Sequence, residues 1–400
     1  MKQKLFRNLK LVNADFKGQQ AKMAMLTVGG QIAWIGTQNK IPKSLKPNQE
    51  IDLKNKLVFP SFIECHTHTV FAGSRAEEFE QRNHGVSYLE IAEKGGGILS
   101  TVKATRLATS QNLLTESQAR VNRFLEQGVS TLEIKSGYGL DLKSEIKILK
   151  VIKNLKGPQI ISTFLGAHAK PLEHDTHADY LKYLVQTVLP AIKKKKLSNR
   201  VDIFIENKFF ERPESLEYLK AAQALGFQIT IHANQLSKSD GVELALQLGA
   251  KSADHVIHLD DLQIQKFAKS KTVAVLLPAA DLYMKCAFPP ARKLIDAGAT
   301  VALATDFNPG TCPTQDISLV GLLARLEMKM SLAEVFKAYT SGAAQALGVE
   351  AQEGELQVGK AANFISTDAE LSDFFYSAGS NPEHLLFIRG SMAKNHQKIK

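Results

Sequence analysis

The chain has 400 residues, 44% of them hydrophobic, an ordinary composition for a globular protein with room for one large domain and a smaller one. Its apolar runs are too short to span a membrane, and its basic residues 1–10 lack the apolar core of a signal peptide. The net charge of +10 lies on scattered lysines, and three cysteines argue against a disulfide framework, so we expect a cytoplasmic protein that binds neither nucleic acid nor membrane.

Three strands are predicted before residue 60, where the chain does not alternate strand with helix. They cover residues 5–12, 23–28 and 31–35, and Gly29-Gly30 suits a hairpin turn between the last two. The N-terminal segment therefore predicts a small β-rich unit.

Eight short apolar runs follow, and each ends on a polar residue or a proline. They cover residues 57–63, 130–134, 159–167, 201–205, 227–231, 250–254, 272–277 and 299–305. Segments of helical length and period separate most of these runs, among them 113–127, 144–155, 213–225 and 241–248. Alternating strands and helices predict parallel strands with helical crossovers, and eight such units predict a closed, TIM-like (β/α)8 barrel.

Strand-like sequence of the first kind returns after about residue 353. It covers residues 354–360, 363–366 and 385–388. The economical interpretation is one small β domain built from both termini, residues 1–59 and 354–400, with a barrel of residues 60–353 inserted between them. Two unrelated terminal extensions are the alternative.

The tripeptide His66-Thr67-His68 directly follows the first barrel run. Residues two apart on a strand point to the same face, so these two imidazoles are placed to bind one divalent metal ion. Two core histidines in a tight turn are the alternative. Two further residues of the metal-ligand type favour the metal interpretation. His232 and Asp306 also follow predicted strands, where barrel enzymes carry their reactive groups.

Seven stretches of the chain resemble the imidazolonepropionase family of the amidohydrolase superfamily. They are residues 60–68, 71–79, 95–98, 133–140, 165–168, 232–235 and 304–311. Residues 73–78 and 133–140 are the most specific of them, since the first and last stretches include features common to many amidohydrolases. Ser61 stands where family members usually have glycine.

The resemblance implies hydrolysis of 4-imidazolone-5-propanoate to N-formimidoyl-L-glutamate, in the breakdown of histidine to glutamate. It also implies an α/β amidohydrolase barrel with a β-sandwich domain beside it, and one Zn²⁺ or Fe³⁺ per subunit. Family analogy further predicts a homodimer. The expected partner is a small-molecule substrate that carries a carboxylate.

The expected metal ligands are three imidazoles and one carboxylate, which leave room for a catalytic water. They are His66, His68, His232 and Asp306. The resemblance suggests that Asp306 also accepts the proton of the water and passes it to the leaving nitrogen. His255, after the sixth barrel run, is expected to orient the water or polarise the scissile carbonyl, and a core histidine paired with Asp254 is the alternative.

The propionate of the implied substrate requires a cation, and Arg75 offers a bidentate fork, although a salt bridge to Glu77 or Glu78 is a competing interpretation. Gln235, at a position where family members have Glu or Gln, is expected to act in catalysis only by hydrogen-bonding the ring, since an amide does not titrate. The other expected substrate-binding residues are Tyr88, Tyr138, His168, Asn308, Gly310 and Thr311. Residues Lys135, Glu133 and Glu206 are expected at the mouth of the site. A carboxylated Lys135 that bridges a second metal is an alternative, which the family analogy disfavours.

Two other enzyme classes and one non-catalytic class compete with this interpretation. A deaminase on the same barrel would usually have Glu at the position of Gln235. A cyclic amidase with two metals would have a lysine after the fourth barrel strand, where this chain has Glu206, with Lys208 just beyond. A barrel that had become a binding module would be expected to lack a ligand, and none of the four is missing.

Overall fold

Two eight-stranded sheets organise the computed structural model, which describes residues 2–42, 46–86, 90–91 and 96–393. One sheet is a nearly closed barrel of parallel strands, and the other is a mixed sheet formed by both ends of the chain. The predicted fold class is thereby confirmed. Tyr88, expected at the substrate site, lies outside the described residues.

Five strands precede the barrel in the chain, and all of them belong to the mixed sheet. They are β1 (Gln3–Val12), β2 (Gln19–Val28), β3 (Gln31–Thr37), β4 (Gln49–Asp52) and β5 (Leu57–Pro60). Val28 and Gln31 are cross-strand partners, and Gly29 and Gly30 between them have φ of 60° and 88°, values that glycine adopts without strain. The predicted hairpin is confirmed.

The barrel strands follow one another in the sheet in chain order. They are β6 (Phe62–Glu64), β7 (Val129–Lys135), β8 (Gln159–Ala167), β9 (Arg200–Ile205), β10 (Gln228–Ala233), β11 (Ser252–His255), β12 (Val273–Leu276) and β13 (Val301–Leu303). All seven residues of β7 are buried, because helices cover its outer face and barrel side chains fill its inner face.

Backbone hydrogen bonds just beyond the strand ends join the last barrel strand to the first. Asp306 N donates to His66 O at 3.1 Å, and His68 N donates to Phe307 O at 2.8 Å. These bonds bring the residues after β13 beside the residues after β6. The closure of the barrel therefore places Asp306, the predicted carboxylate ligand, next to the predicted ligands His66 and His68.

Helices separate the barrel strands, as the apolar periodicity predicts. They are α1 (Ala76–Asn83), α2 (Ile98–Leu107), α3 (Ser110–Glu126), α4 (Leu142–Asn154), α5 (His177–Tyr183), α6 (Leu189–Lys195), α7 (Arg212–Ala224), α8 (Gly241–Leu248), α9 (Asp261–Ala268), α10 (Pro278–Met284), α11 (Ala291–Asp296), α12 (Ile317–Leu326), α13 (Leu332–Lys337) and α14 (Ala343–Leu347). Several begin at a side-chain cap: Thr109, Asp141 and Asp260 each accept a hydrogen bond from the backbone N–H three residues later.

The C-terminal strands β14 (Phe364–Thr367), β15 (Leu385–Ile388) and β16 (Ser391–Met392) complete the mixed sheet, whose order is β16-β15-β14-β5-β1-β2-β3, with β4 paired to β1. Phe6 on β1 contacts the ring of Phe387 on β15, with centroids 5.5 Å apart. These strands are three places apart in the sheet, or about 14 Å if it were flat. The sheet must therefore curl over a shared core, as a sandwich does.

Two details of the predicted elements are wrong. Residues 57–63 are not one strand, because β5 ends at Pro60 in the mixed sheet and β6 begins at Phe62 in the barrel. Between them the hydroxyl of Ser61 hydrogen-bonds that of Ser130 at 2.6 Å. Residues 354–360 form turns instead of a strand.

Candidate metal centre and substrate cavity

The predicted ligands meet at the C-terminal end of the barrel. His66 and His68 follow β6, His232 lies on β10, and Asp306 lies three residues after β13. Asp306 has a φ of 54°, and His255 at the end of β11 has a φ of 75°, values that non-glycine residues rarely adopt. Such backbone conformations cluster at functional sites, where the surrounding structure holds them in place.

The separations of the ligand atoms fit a single metal ion. The Nε2 atoms of His66 and His68 lie 3.4 and 3.3 Å from Oδ1 of Asp306. Those distances are long for hydrogen bonds, but two ligands of a tetrahedral ion with bonds of ~2.1 Å lie ~3.4 Å apart. His66, His68 and Asp306 are therefore spaced as ligands of one ion.

Buried ring nitrogens without hydrogen bonds support the same interpretation. Within the described part of the chain, Nε2 of His66 and Nε2 of His232 are fully buried and have no hydrogen-bond partner. The two rings lie 4.6 Å apart. Buried polar atoms of this kind are costly unless something binds them, and neutral imidazole nitrogen is a ligand that zinc and iron accept.

Two buried aspartates lie against the opposite ring nitrogens, Asp254, expected above only as a partner of His255, and Asp202, which was not expected at the site. Oδ2 of Asp254 lies 2.6 Å from Nδ1 of His66, and Oδ2 of Asp202 lies 3.0 Å from Nδ1 of His232. A carboxylate at Nδ1 selects the tautomer whose Nε2 lone pair faces the metal. In the sequence, Asp202 is the one charged residue inside the apolar run 201–205. A buried strand seldom carries an unpaired charge, so this aspartate could have been recognised as a functional residue.

The pKa values of the site depend on burial and on these carboxylates. Burial and Lys135 oppose the protonation of His66, but Asp254 and Asp306 outweigh both and raise its pKa to about 9, so a metal ion that binds Nε2 would displace a proton. Burial lowers the pKa of His68 to about 4 and that of His255 to about 3. His255 is thus neutral at physiological pH. Its proposed alternative partner, Asp254, is engaged by His66 instead.

Three polar residues expected at the mouth lie elsewhere. Lys135 and Glu133 are fully buried in the barrel interior beneath the ligands, because alternate residues of β7 point inward. Glu206 is also buried, and its carboxylate accepts hydrogen bonds from the backbone of Leu236 at 2.9 Å and of Ser237 at 3.2 Å. It therefore fixes the loop that follows β10, and that loop includes Gln235.

A cavity of about 630 Å³ opens above the centre. Its wall includes most of the described residues that the sequence analysis assigned to substrate or metal. These are His68, Arg75, Tyr138, His168, His232, Gln235, His255, Asp306, Asn308 and Thr311. Phe204, Phe209, Leu99 and Met284 add apolar surface. The site is therefore a mostly apolar pocket with convergent polar groups, the usual form of a small-molecule site.

Arg75 is held at the cavity wall by two neighbours. Its Nε donates to Glu78 at 2.8 Å, so the salt bridge weighed as an alternative does form. The guanidinium also covers Gly310, where an added Cβ would lie 1.8 Å from Nη1. Gly310 therefore makes room for an arginine side chain, and its expected contact with substrate stays a prediction.

Glu78 ties Arg75 to a second element. Its Oε1 accepts hydrogen bonds from Gly97 N at 3.0 Å and from Ser100 Oγ at 3.1 Å, at the start of α2. Glu78, which orients the guanidinium, is therefore itself held in place before any ligand arrives. Pre-ordering of this kind lowers the entropy cost of binding an anion.

Tyr138 and His168 form another part of the wall. The ring of His168 stacks on that of His68 with centroids 5.1 Å apart, and its Nδ1 lies 3.2 Å from Gly137 O. The buried carboxylate of Glu145 accepts hydrogen bonds from the backbone of Gly139 at 2.7 Å and of Leu140 at 3.0 Å. Glu145, which the sequence analysis missed, thereby orders the turn that carries Tyr138.

The side chain of Asn308 is engaged by its own loop. Its Oδ1 accepts from Gly310 N at 2.9 Å and Thr311 N at 2.7 Å, while its Nδ2 donates to Asp306 O at 2.7 Å. Asn308 thus shapes the loop that presents Asp306 and Thr311 to the cavity.

Comparison with known proteins supports a specific family. The amidohydrolase family profile matches residues 57–393, which includes the whole barrel. The chain is 52% identical to an imidazolonepropionase of Bdellovibrio bacteriovorus over 93% of this chain and 88% of that protein. It is 44% identical to an imidazolonepropionase of Bacillus cytotoxicus over 91% of this chain and 87% of that protein.

Solved structures share the fold at low identity. An adenosine deaminase from Xanthomonas campestris with bound zinc superposes with a TM-score of 0.74 at 15% identity, covering 97% of this chain and 92% of its own. A triazine hydrolase variant superposes with a TM-score of 0.76 at 16% identity, covering 99% and 96%. Within the described residues, no helix is long and apolar enough to cross a membrane.

Proposed function

The chain belongs to the amidohydrolase family, and we propose that it hydrolyses 4-imidazolone-5-propanoate to N-formimidoyl-L-glutamate in the breakdown of histidine. The observation that carries this proposal is the juxtaposition, in one cavity, of a metal-type His/Asp cluster and a fixed arginine. The cluster suits hydrolysis of an amide, and Arg75 suits a carboxylate on the same small molecule. We infer that an imidazolone ring contains the amide and carries the carboxylate, because the relatives are named imidazolonepropionase.

We propose one metal ion, Zn²⁺ or Fe³⁺, held by four side chains. They are His66, His68, His232 and Asp306. When bound there, such an ion polarises the amide carbonyl and acidifies water. Asp254 and Asp202 keep His66 and His232 in the tautomer that presents Nε2.

The chain's own groups then carry the protons. Burial disfavours the Asp306 anion, but the neighbouring imidazoles of His66 and His68 hold the pKa of this carboxyl well below its usual range. Asp306 is therefore ionised and can accept a proton from water. Water oxygen bonds to the carbonyl carbon, the ring C–N bond breaks, and Asp306 returns the proton to the leaving nitrogen. Neutral His255 orients the water or the carbonyl by hydrogen bonding.

Substrate placement follows from the other walls of the cavity. Arg75 pairs with the propionate, while Tyr138, His168 and Gln235 hydrogen-bond the ring or its substituents. The loop of Asn308, Gly310 and Thr311 supports Arg75 and closes one side. Asn308 acts chiefly through the loop, since its amide is already hydrogen-bonded within it.

A substrate panel tests the function. Metal-loaded protein is assayed on imidazolonepropionate, a dihydropyrimidine and guanine. We expect turnover of the first alone, with release of formimidoylglutamate. Faster hydrolysis of the dihydropyrimidine would favour the cyclic-amidase alternative, and ammonia release from guanine would favour a deaminase.

We also propose the composite domain, residues 1–59 and 354–400, beside a catalytic barrel of residues 60–353, because the chain changes sheets between β5 and β6. Sparse free cysteines support a cytoplasmic location. The proposal of a homodimer rests on family analogy, and light scattering of the purified protein would measure the oligomeric state directly.

A further inference from the structure

A buried ammonium lies directly beneath the proposed metal ligands. Nζ of Lys135 lies 2.8 Å from Asp202 Oδ2, 2.9 Å from Glu133 Oε2 and 3.5 Å from Asp254 Oδ2. The side chain of Lys135 has no exposed surface, nor has Asp202, and Asp254 is 1% exposed. A charge so far from water is tolerated only because three carboxylates surround it.

Two of those carboxylates connect Lys135 to the ligands. Asp202 bridges Lys135 and His232, and Asp254 bridges Lys135 and His66. The ammonium is therefore one side chain away from two of the four ligands, on the face opposite the cavity. The mechanism assigns Lys135 no contact with substrate.

The position of the ammonium also has the surroundings of a cation site. Asp202, Asp254 and His232 each offer a ligand atom, and those atoms lie within 4.8 Å of one another. Carboxylate oxygens are ligands that Mn²⁺ and Mg²⁺ prefer. What occupies the space between Asp202 and Asp254 is Lys135.

We propose that Lys135 is a positioning residue whose ammonium takes the place of a second cation, aligning Asp202 and Asp254 on the metal ligands and limiting the centre to one metal ion. The inference rests on the proposed single-metal site. It differs from the carboxylated bridging lysine of two-metal amidases, because here the lysine remains a cation and touches no ligand of the metal directly.

The test compares Lys135→Ala with Lys135→Met by titration with Mn²⁺. Alanine removes the charge and opens its space, whereas methionine removes the charge but keeps most of the volume. Lys147→Met is the matched control, because Lys147 also binds three groups, the carbonyls of Thr105, Arg106 and Ala108, away from the centre. Bound Mn²⁺ is counted after gel filtration, and electron paramagnetic resonance reports whether two ions are magnetically coupled.

We expect about one Mn²⁺ in the wild type and in Lys147→Met, and about two coupled ions in Lys135→Ala. Lys135→Met should bind at most one ion, at least tenfold more weakly than the wild type, because the carboxylates lose their alignment. One ion in Lys135→Ala, or wild-type affinity in Lys135→Met, would show that Lys135 only fills space.

Loss of a buried cation can prevent folding, so Glu133→Gln/Lys135→Ala is measured alongside. This pair removes one charge of each sign and keeps Asp202 and Asp254. It should fold with Mn²⁺ present and bind the second ion. If neither alanine variant folds in Mn²⁺, the cation does not replace the ammonium and the proposal is wrong. None of these readouts uses substrate, so a different substrate would overturn the proposed function without touching this inference.

Discussion

Recognition of the propionate by Arg75 can be tested from two directions. Arg75→Lys keeps the charge and loses the planar fork. Gly310→Ala does not change the arginine itself. Its new methyl group would lie 1.8 Å from Nη1 of Arg75, so the guanidinium must move away. Gly310 is not among the positive-φ glycines, so alanine fits its backbone, and any effect has to come from that displacement.

The expected size follows from the burial of the pair. The side chain of Arg75 is 8% exposed, so a hydrogen bond to a ligand carboxylate is weakly screened. Hydrogen bonds to charged groups contribute ~1.5–3 kcal/mol, or roughly 10- to 150-fold in kcat/KM. We expect Arg75→Lys to fall in the lower part of that range, because one charged bond remains.

The assay compares kcat/KM for imidazolonepropionate and for an analogue without the carboxylate. Both variants should lose activity on the first and retain it on the second. The double variant should be little worse than either single one, since both changes remove the same interaction. Arg292→Lys, in a surface ion pair with Glu334, serves as the control for arginine replacement. Equal losses on both compounds, or fully additive losses, would make Arg75 a structural residue.

Three further outcomes are expected. Asp306→Ala should abolish turnover and metal retention together, as measured by elemental analysis of protein purified without chelators. His255→Asn should lower kcat by about two orders of magnitude with metal content unchanged, whereas Gln235→Glu should be tolerated; a His255 variant of normal turnover would remove that residue from the mechanism. Although burial acts in the opposite direction, Arg292 holds the pKa of Glu334 below its ordinary value near 4.5. This partly exposed ion pair should contribute under ~1 kcal/mol to the free energy of unfolding above pH 4.5, and that contribution should vanish as the pH falls below 4.5. Chemical unfolding should therefore give the wild type and Glu334→Gln the same free energy of unfolding in acid.

The four proposed ligands could be selected from the sequence because each lies in or directly after a recognisable local pattern. His66-Thr67-His68 is a motif of neighbouring residues, and His232 and Asp306 follow apolar runs whose ends the (β/α)8 pattern brings together. The boundaries of most barrel strands came within two residues for the same reason. The break between β5 and β6 was missed, since an uninterrupted apolar run gives no sign that two sheets share it.

The supporting residues could not be predicted, because their roles depend on register and on long-range contacts. Asp254 is the cross-strand neighbour of His232 on β10, yet its carboxylate binds His66 from another strand. The pairing of Glu78 with Arg75 could be named from the sequence as an alternative, because the two residues are only three apart. Glu145 looks like an ordinary helix carboxylate in the sequence, and only the fold directs it to the turn of Tyr138.

The charge of the barrel interior gives an independent reason to expect a bound metal cation. Among the described residues that surround or underlie the ligands, the carboxylates outnumber the cations. The cations are Lys135 and Arg200, and the carboxylates are those of Glu133, Asp202, Asp254 and Asp306. Glu64 adds no charge at neutral pH, because burial raises its pKa to about 8. Four carboxylates against two cations leave a surplus of negative charge. Since uncompensated buried charge is costly, this surplus supports the proposal that a metal cation binds beside these carboxylates.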